Sequence, residues 1–289
     1  MPSPSNHDHK HDHEPSPAAP PDGPEEADGP EGAAFACAWP SPPPPTAELA
    51  LPRDEAQVWC AALDGAAERR ALLWPLLSAD EQERARRFRF DRDRDRFTVA
   101  RGLLRHLLGR YLGVDPARLR FAYNAHGKPA LEDPQPDAPG KECPQFNVSH
   151  SAGLALYACA REAAVGVDLE RRRPLSDMAQ VAARFFSSRE QALLRALPPE
   201  RRLDAFYACW TRKEAYVKAR GEGLSLPLDR FSVSLAPGEP ARLLHVEDDP
   251  RGEQVARWSL HDLAPAAGYA AALAVEGHGR RLVCRRWPA

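Results

Sequence analysis

Residues 146–170 read FNVSHSAGLALYACAREAAVGVDLE, and residues 210–227 read WTRKEAYVKARGEGLSLP. The first stretch closes on Val165, Val167, Asp168, Leu169 and Glu170, a run that favours extended chain. Strand alternation then places Asp168 and Glu170 on one face and Leu169 on the other. Two carboxylates converging on one spot repel each other unless a cation or a cationic side chain lies between them. Hard oxygen ligands that leave room for water and phosphate oxygens favour Mg²⁺. The competing reading is a solvated strand end neutralised by Arg171, Arg172 and Arg173.

The second stretch belongs to a segment, Asp204 to Arg220, that carries Phe206, Trp210, Tyr216 and Val217 with no Gly or Pro inside it. This predicts a helix ended by Gly221 and Gly223. A spacing of four stacks Trp210, Glu214 and Lys218 one turn apart on one face. Taken alone, Glu214 and Lys218 would be an ordinary surface pair contributing about 0.2–0.5 kcal/mol.

The two stretches acquire meaning together. FNVSHS, GVDLE and FYACWTRKEAYVKARGEGLSLPLDRFSV, with RFFSSRE between the last two and GKPAL at Gly127 to Leu131, resemble the 4'-phosphopantetheinyl transferase superfamily in its larger, surfactin-type (Sfp-type) branch. The resemblance runs from about Val58 to Val283. It implies an α+β fold in which one chain holds two similar α/β halves, a pseudo-dimer with coenzyme A in the cleft between them. It also implies an enzyme of the holo-[acyl-carrier-protein] synthase class. Members move the phosphopantetheine arm of coenzyme A to a serine of an apo acyl or peptidyl carrier protein, release adenosine 3',5'-bisphosphate and need Mg²⁺. Carried over position by position, Asp168, Glu170 and Glu214 are the expected metal ligands. Lys218, with Glu214 and Asp168, completes the catalytic set, and Glu214 is the expected acceptor of the serine proton, directly or through water.

Coenzyme A binding is expected, by the same resemblance, at Ser149 and His150 of FNVSHS and at Lys128 of GKP. His150 near an anion would favour its doubly protonated ring. Arg84 and Arg96 are expected near the coenzyme's phosphates, and Arg101, further along the same helix, is a weaker member of the group. A non-catalytic coenzyme A-binding regulator would tolerate a damaged D-x-E or KEA block, and both blocks are whole here. A metal-dependent nucleotide phosphohydrolase could use the same carboxylates without a docking surface for a protein serine. Both alternatives stay open on the sequence. For the carrier, acidic around its modified serine, the expected surface is Arg171 to Arg173, Arg184, Phe185 and Phe186, with one phenylalanine of the pair in the core.

Composition narrows the class. The chain has 289 residues, 43% hydrophobic content and a formal charge of −2, enough to bury one large core or two smaller ones. Nine arginines lie between Arg84 and Arg105, but Asp91, Asp93 and Asp95 alternate with three of them, which argues against a nucleic-acid stripe. No apolar run reaches the roughly 18 residues of a membrane span, and MPSPSNHDHKHDHEPSP has no apolar signal region. A cytoplasmic monomer with no membrane partner is the expectation. Six scattered cysteines without a CxxC pair read as reduced thiols.

Residues 1–48 hold thirteen prolines and are expected to be disordered; their alternating His7, His9, His11 and His13 read as a tail without a catalytic role. Residues 49–164 form the expected first half and 165–289 the second, which carries the Mg²⁺ motifs. The first half should contain a strand around Gln57 to Leu63, a helix from Ser78 to Tyr111 broken near Asp91, a strand at Leu119 to Tyr123, an exposed loop from Glu132 to Gln145, and a strand at Gly153 to Cys159. The second should contain VGVDLE, helices through RFFSSREQALLRAL and FYACWTRKEAYVKAR, and strands near Arg230, Arg242, Ala256, Gly268 and Arg281.

Overall fold

A computed structural model describes residues 49–65 and 67–288; the tail with its histidines lies outside the described residues. The strands are β1 (Glu55–Ala62), β2 (Phe121–Tyr123), β3 (Pro129–Leu131), β4 (Gln145–Ser151), β5 (Leu154–Ala160), β6 (Val165–Arg171), β7 (Phe231–Val233), β8 (Leu243–Val246), β9 (Trp258–Leu263), β10 (Tyr269–Glu276) and β11 (Arg281–Arg286). The helices are α1 (Ala67–Leu73), α2 (Ala79–Arg86), α3 (Asp91–Leu112), α4 (Met178–Phe185), α5 (Ser188–Ala196), α6 (Pro199–Arg220) and α7 (Glu253–Arg257).

Two sheets dominate. One runs β11-β1-β5-β4 and the other β6-β10-β9. Alternation along two central strands explains how they stack. In β5, Ala155, Tyr157 and Cys159 pack with Leu103, Leu107 and Leu108 of α3, whereas Leu156 and Ala158 meet Val165, Val167 and Leu169 of β6. In β10, Leu273 and Val275 join that inter-sheet layer, and Ala270, Ala272 and Ala274 turn outward to α6. The order is therefore helix, sheet, sheet, helix, with β5 and β10 apolar on both faces because both faces are covered.

A motif recurs in each half. Ser78 and Glu81 form a capping box on α2, and Ser187 and Glu190 form one on α5. Each short helix precedes a helix of 22 residues that stops at a left-handed glycine, Gly113 after α3 and Gly221 after α6. This repetition is the α+β pseudo-dimer that the sequence resemblance implies, although β11, late in the chain, completes the first sheet beside β1 in parallel.

Several expectations need correction. Residues 145–151 form a strand, β4, before the expected hairpin partner, because their hydrogen bonds are completed by β5 and by contacts outside their own sheet. The strand placed near Ala256 begins at Trp258, and Ala256 lies in α7, whose first amides are capped by the Asp249 carboxylate. The 132–145 loop is not wholly exposed. Gln135 is buried, its amide group bonded to Arg120 N, Arg120 O and Glu132 O, which replaces regular structure with side-chain latches. α6 starts at Pro199, earlier than expected, because proline fits the first turn of a helix. Cys60, Cys143, Cys159 and Cys209 are free, but Cys284 is disulfide-bonded, a pairing that motif spacing cannot reveal. Among the described residues no helix is long and apolar enough to cross a membrane.

Candidate functional site

The site begins at a seam between two strand edges. β4 ends the first sheet and β6 ends the second, so each would present unpaired backbone groups. Polar side chains on alternate β4 positions close the gap. Asn147 Oδ1 accepts from Val167 N at 2.8 Å, Ser149 Oγ from Leu169 N at 3.1 Å, and Ser151 Oγ from Arg171 N at 3.1 Å. The two serine hydroxyls then donate onward to the acidic strand, Ser149 to Asp168 Oδ1 at 3.1 Å and Ser151 to Glu170 Oε2 at 3.2 Å. The alternation in N-V-S-H-S is thus the complement of the alternation in V-D-L-E-R.

α6 covers these carboxylates closely. Gly166 shares the face of Asp168 and Glu170, and a Cβ there would lie 2.2 Å from both Ala215 O and Ala219 N. Only a glycine lets helix and strand touch at this distance. Glu214 and Lys218, on the same helix, are thereby held beside β6. Lys218 Nζ donates to Asp168 Oδ1 at 2.5 Å and to Ser149 Oγ at 3.2 Å.

The charges are under tension. Burial, and then repulsion from Asp168, pushes the Glu170 carboxyl up to about 7. Glu214 is likewise pushed up to about 7 by burial and by Asp168, against the pull of Lys218. Burial alone would lower Lys218, but Asp168 and Glu214 together outweigh it and raise its pKa. Asp168 is 3% exposed, and its Oδ2 is buried with no hydrogen-bond partner. An orphaned carboxylate oxygen among partly neutralised acids is short of positive charge, and a hard divalent cation fits that donor set. The cage is not closed, however: no three His, Cys, Asp or Glu side chains among the described residues stand ready as a metal site, and Lys218 covers the other oxygen of Asp168.

The remaining predicted residues fall into two groups. His150, one residue before the end of β4, reaches solvent with part of its side chain, yet its ring is desolvated by its surroundings, and this, followed by the charges of Lys218, Arg96 and Arg84, lowers its pKa. The structure thus gathers His150, Arg84, Arg96 and Lys218 into one cationic neighbourhood. These neighbours disfavour the doubly protonated ring that the sequence predicts for His150 beside an anion. Arg84 is exposed and stacks over Phe97; Arg96 forks onto Asp64. Lys128 and Arg101 are engaged elsewhere. Lys128 Nζ donates to Val165 O and Ala219 O, each at 3.1 Å, and burial lowers its pKa to about 8. Arg101 is tied to Glu81 at 2.5 Å and lies over Phe121.

Sequence reasoning missed Lys213, next to Glu214. Its side chain and that of Glu190 are fully buried and paired at 2.8 Å, with Phe231 O accepting from Lys213 at 2.6 Å and Glu190 accepting from Val233 N at 2.7 Å. This pair fixes the rotation of α6 about its axis and so aims Glu214. The capping-box pattern SSRE was the available signal for Glu190, but nothing local pairs it with Lys213. Of the aromatic pair expected at a docking surface, Phe186 is core, and half-buried Phe185 carries exposed Arg184 over its ring.

Comparison with known proteins identifies the family. A family model described as 4'-phosphopantetheinyl transferase superfamily matches residues 164–274, and one described as the N-terminal part of 4'-phosphopantetheinyl transferase matches residues 67–162. The 4'-phosphopantetheinyl transferase HetI of Nostoc sp. is 42% identical over 238 residues, 82% of this chain and 94% of the relative. The 4'-phosphopantetheinyl transferase Sfp of Bacillus subtilis is 37% identical over 55% of this chain and 66% of its own length. The L-aminoadipate-semialdehyde dehydrogenase-phosphopantetheinyl transferase of Homo sapiens is 30% identical over 56% of this chain and 53% of its own length. With both halves matched in order and nearly all of HetI covered, the chain belongs to the 4'-phosphopantetheinyl transferase superfamily, in its Sfp-type branch, and is an enzyme of that transferase class.

Proposed function

We propose that the enzyme transfers 4'-phosphopantetheine from coenzyme A to a serine of an apo acyl or peptidyl carrier protein, leaving adenosine 3',5'-bisphosphate, and that it depends on Mg²⁺. The observation that carries this reading is the unpartnered Asp168 Oδ2 beside two carboxylates pushed up to about 7. Such a cluster holds one ammonium, that of Lys218, against three carboxylates, and a divalent cation accompanying a diphosphate substrate would redress that balance. Asp168, Glu170 and Glu214 would hold the Mg²⁺, which when bound neutralises charge on the diphosphate.

The chain's own groups supply the rest. Arg84 and Arg96, whose charges reach His150, suit the coenzyme's phosphates, and His150 can add a ring N–H beside them. Lys218, already bonded to Asp168 and Ser149, can turn an N–H toward a phosphate oxygen or the attacking serine without leaving the site. Glu214, with a pKa near neutrality, suits the role of proton acceptor for the serine. Ligand and base compete at that residue, since a carboxylate bound to a cation is the weaker base. Lys128 has two of its three N–H donors on Val165 O and Ala219 O, so only the third is left to meet the coenzyme. Arg172 and Arg184, both exposed, suit an acidic carrier surface. We further propose a cytoplasmic monomer.

The test is intact-mass analysis of an apo carrier protein incubated with the enzyme, coenzyme A and Mg²⁺, with an EDTA control. A gain of one phosphopantetheine arm that EDTA removes is expected. Coenzyme A binding without transfer to any of several carrier classes would overturn the reading in favour of a regulator. Glu214→Gln and Asp168→Ala should each slow transfer by at least about 100-fold; near wild-type rates would remove them from the site.

A further inference from the structure

Asp64 lies just past β1, and its side chain is 58% exposed, yet it is tightly engaged. Its two oxygens accept from Arg96 Nε at 2.7 Å and Arg96 Nη2 at 2.9 Å, a bidentate fork. The fork presses against the β4–β5 turn. Gly153, at φ 84°, would place a Cβ 2.2 Å from Asp64 Oδ2 and 3.2 Å from Arg96 Nη2. The turn is held from two other elements, because Leu63 N donates to Gly153 O at 2.7 Å and Tyr269 OH donates to Ala152 O at 2.7 Å. This clamped turn directly follows His150 and Ser151, and the charge of Arg96 reaches His150.

We propose that Asp64 is a positioning residue for coenzyme A binding: its bidentate grip fixes the guanidinium of Arg96 against the β4–β5 turn, so that a phosphate ligand meets an oriented cation beside His150. The inference rests on the coenzyme site proposed above. The Arg96 side chain is still 22% exposed, and rotamer freedom left at its guanidinium would cost affinity when a ligand has to immobilise it. Asp64 orders it beforehand. The Arg96 hydrogen bond, the largest influence on Asp64, holds that carboxyl below its ordinary range, so the grip persists through neutral pH. Exposure makes a folding role for Asp64 small.

The experiment uses the full chain with Asp64→Ala, Asp64→Asn, Arg96→Ala and the Asp64→Ala/Arg96→Ala double variant. It measures KM for coenzyme A, kcat at saturating coenzyme A, coenzyme A affinity by calorimetry, and thermal melting. Asp64→Ala should raise KM and weaken affinity by about 2- to 10-fold with kcat and melting unchanged. Asp64→Asn, which keeps one oxygen acceptor, should fall between, and the double variant should bind no worse than Arg96→Ala alone. An unchanged KM, additive losses in the double variant, or a fall in kcat with melting temperature would each overturn the proposal. So would an Arg96→Ala variant with unaltered affinity, while mass gain on the carrier would leave the transfer reaction standing. If the wild type transfers nothing, the reaction is misassigned, and the calorimetric series still decides the role of Asp64.

Discussion

The two long helices of this enzyme cover their sheets in different ways. α3 is kept off β1 by bulk: Trp59 and Tyr111 fill the space, and the Trp59 indole donates to the Tyr111 hydroxyl at 2.8 Å. α6 rests on β6 with backbone nearly against backbone, at Gly166 under Ala215 and Ala219. Both halves repeat the same bracing, a capping-box glutamate that reaches a basic residue of the long helix. Glu81 takes Arg105 at 2.6 Å, and Glu190 takes Lys213 at 2.8 Å. The lesson is that identical bracing yields a core where the gap is wide and a reactive cluster where it is narrow, because only the narrow gap brings helix-borne Glu214 and Lys218 beside strand-borne Asp168.

Breaking the brace in the second half should have the largest effect. Lys213→Met leaves the Glu190 carboxylate buried without its cation and should destabilise the fold by about 3–5 kcal/mol in urea unfolding. Arg105→Met should do less, since Arg101 also grips Glu81, and equal losses would mean that the two braces are not differently supported. Next comes the narrow gap. Gly166→Ala forces a methyl onto backbone atoms that no rotamer change can clear, and about 3 kcal/mol of destabilisation with loss of transfer is expected. Gly102→Ala in α3 meets only the Leu73 side chain, at 2.7 Å, and should cost less. If the two substitutions cost the same, the difference in spacing is not what separates the halves.

Smaller still is the seam. Ser149→Ala leaves Leu169 N without its acceptor and should cost about 1–2 kcal/mol, measured by thermal or urea unfolding, while Ser151→Ala, closer to solvent, should cost less. The most modest effect is a pH dependence. Glu170 and Glu214 titrate near 7 when folded and near their ordinary 4.5 when unfolded, so the folded state keeps protons that the unfolded state has lost. Their contribution to stability is full below about pH 4.5 and is lost as pH rises through 7. A divalent cation displaces those protons, so the melting shift produced by millimolar Mg²⁺ over EDTA should grow between pH 5 and 7.5. A shift independent of pH would sever these carboxylates from the metal.

Much of the second half, and the helix break of the first, was readable in the residues themselves. The strand alternation of VGVDLE and the four-residue spacing of Glu214 and Lys218 survive as the faces on which those side chains lie, and the break between α2 and α3 falls just before Asp91. What could not be read was pairing over long distance. Whether FNVSHS is a strand depends on a hairpin partner, and its polar zipper depends on the edge of another sheet. Lys213 looks like one more surface lysine until β7 supplies Phe231 O. Lys128, chosen for its motif, spends its ammonium on the carbonyls at the start of β6 and the end of α6, a destination that only tertiary structure defines.

The place of β11 beside β1 has a consequence for the timing of folding. The first sheet is made mostly of early segments, but one flank of β1 waits for Arg281–Arg286, more than two hundred residues later in synthesis. Until those residues leave the ribosome, β1 offers a bare edge while β5, α3 and their core can already assemble. That flank of β1 is therefore covered only when the last strand of the sheet has been made, so the exposure falls on the folding chain and not on the finished enzyme.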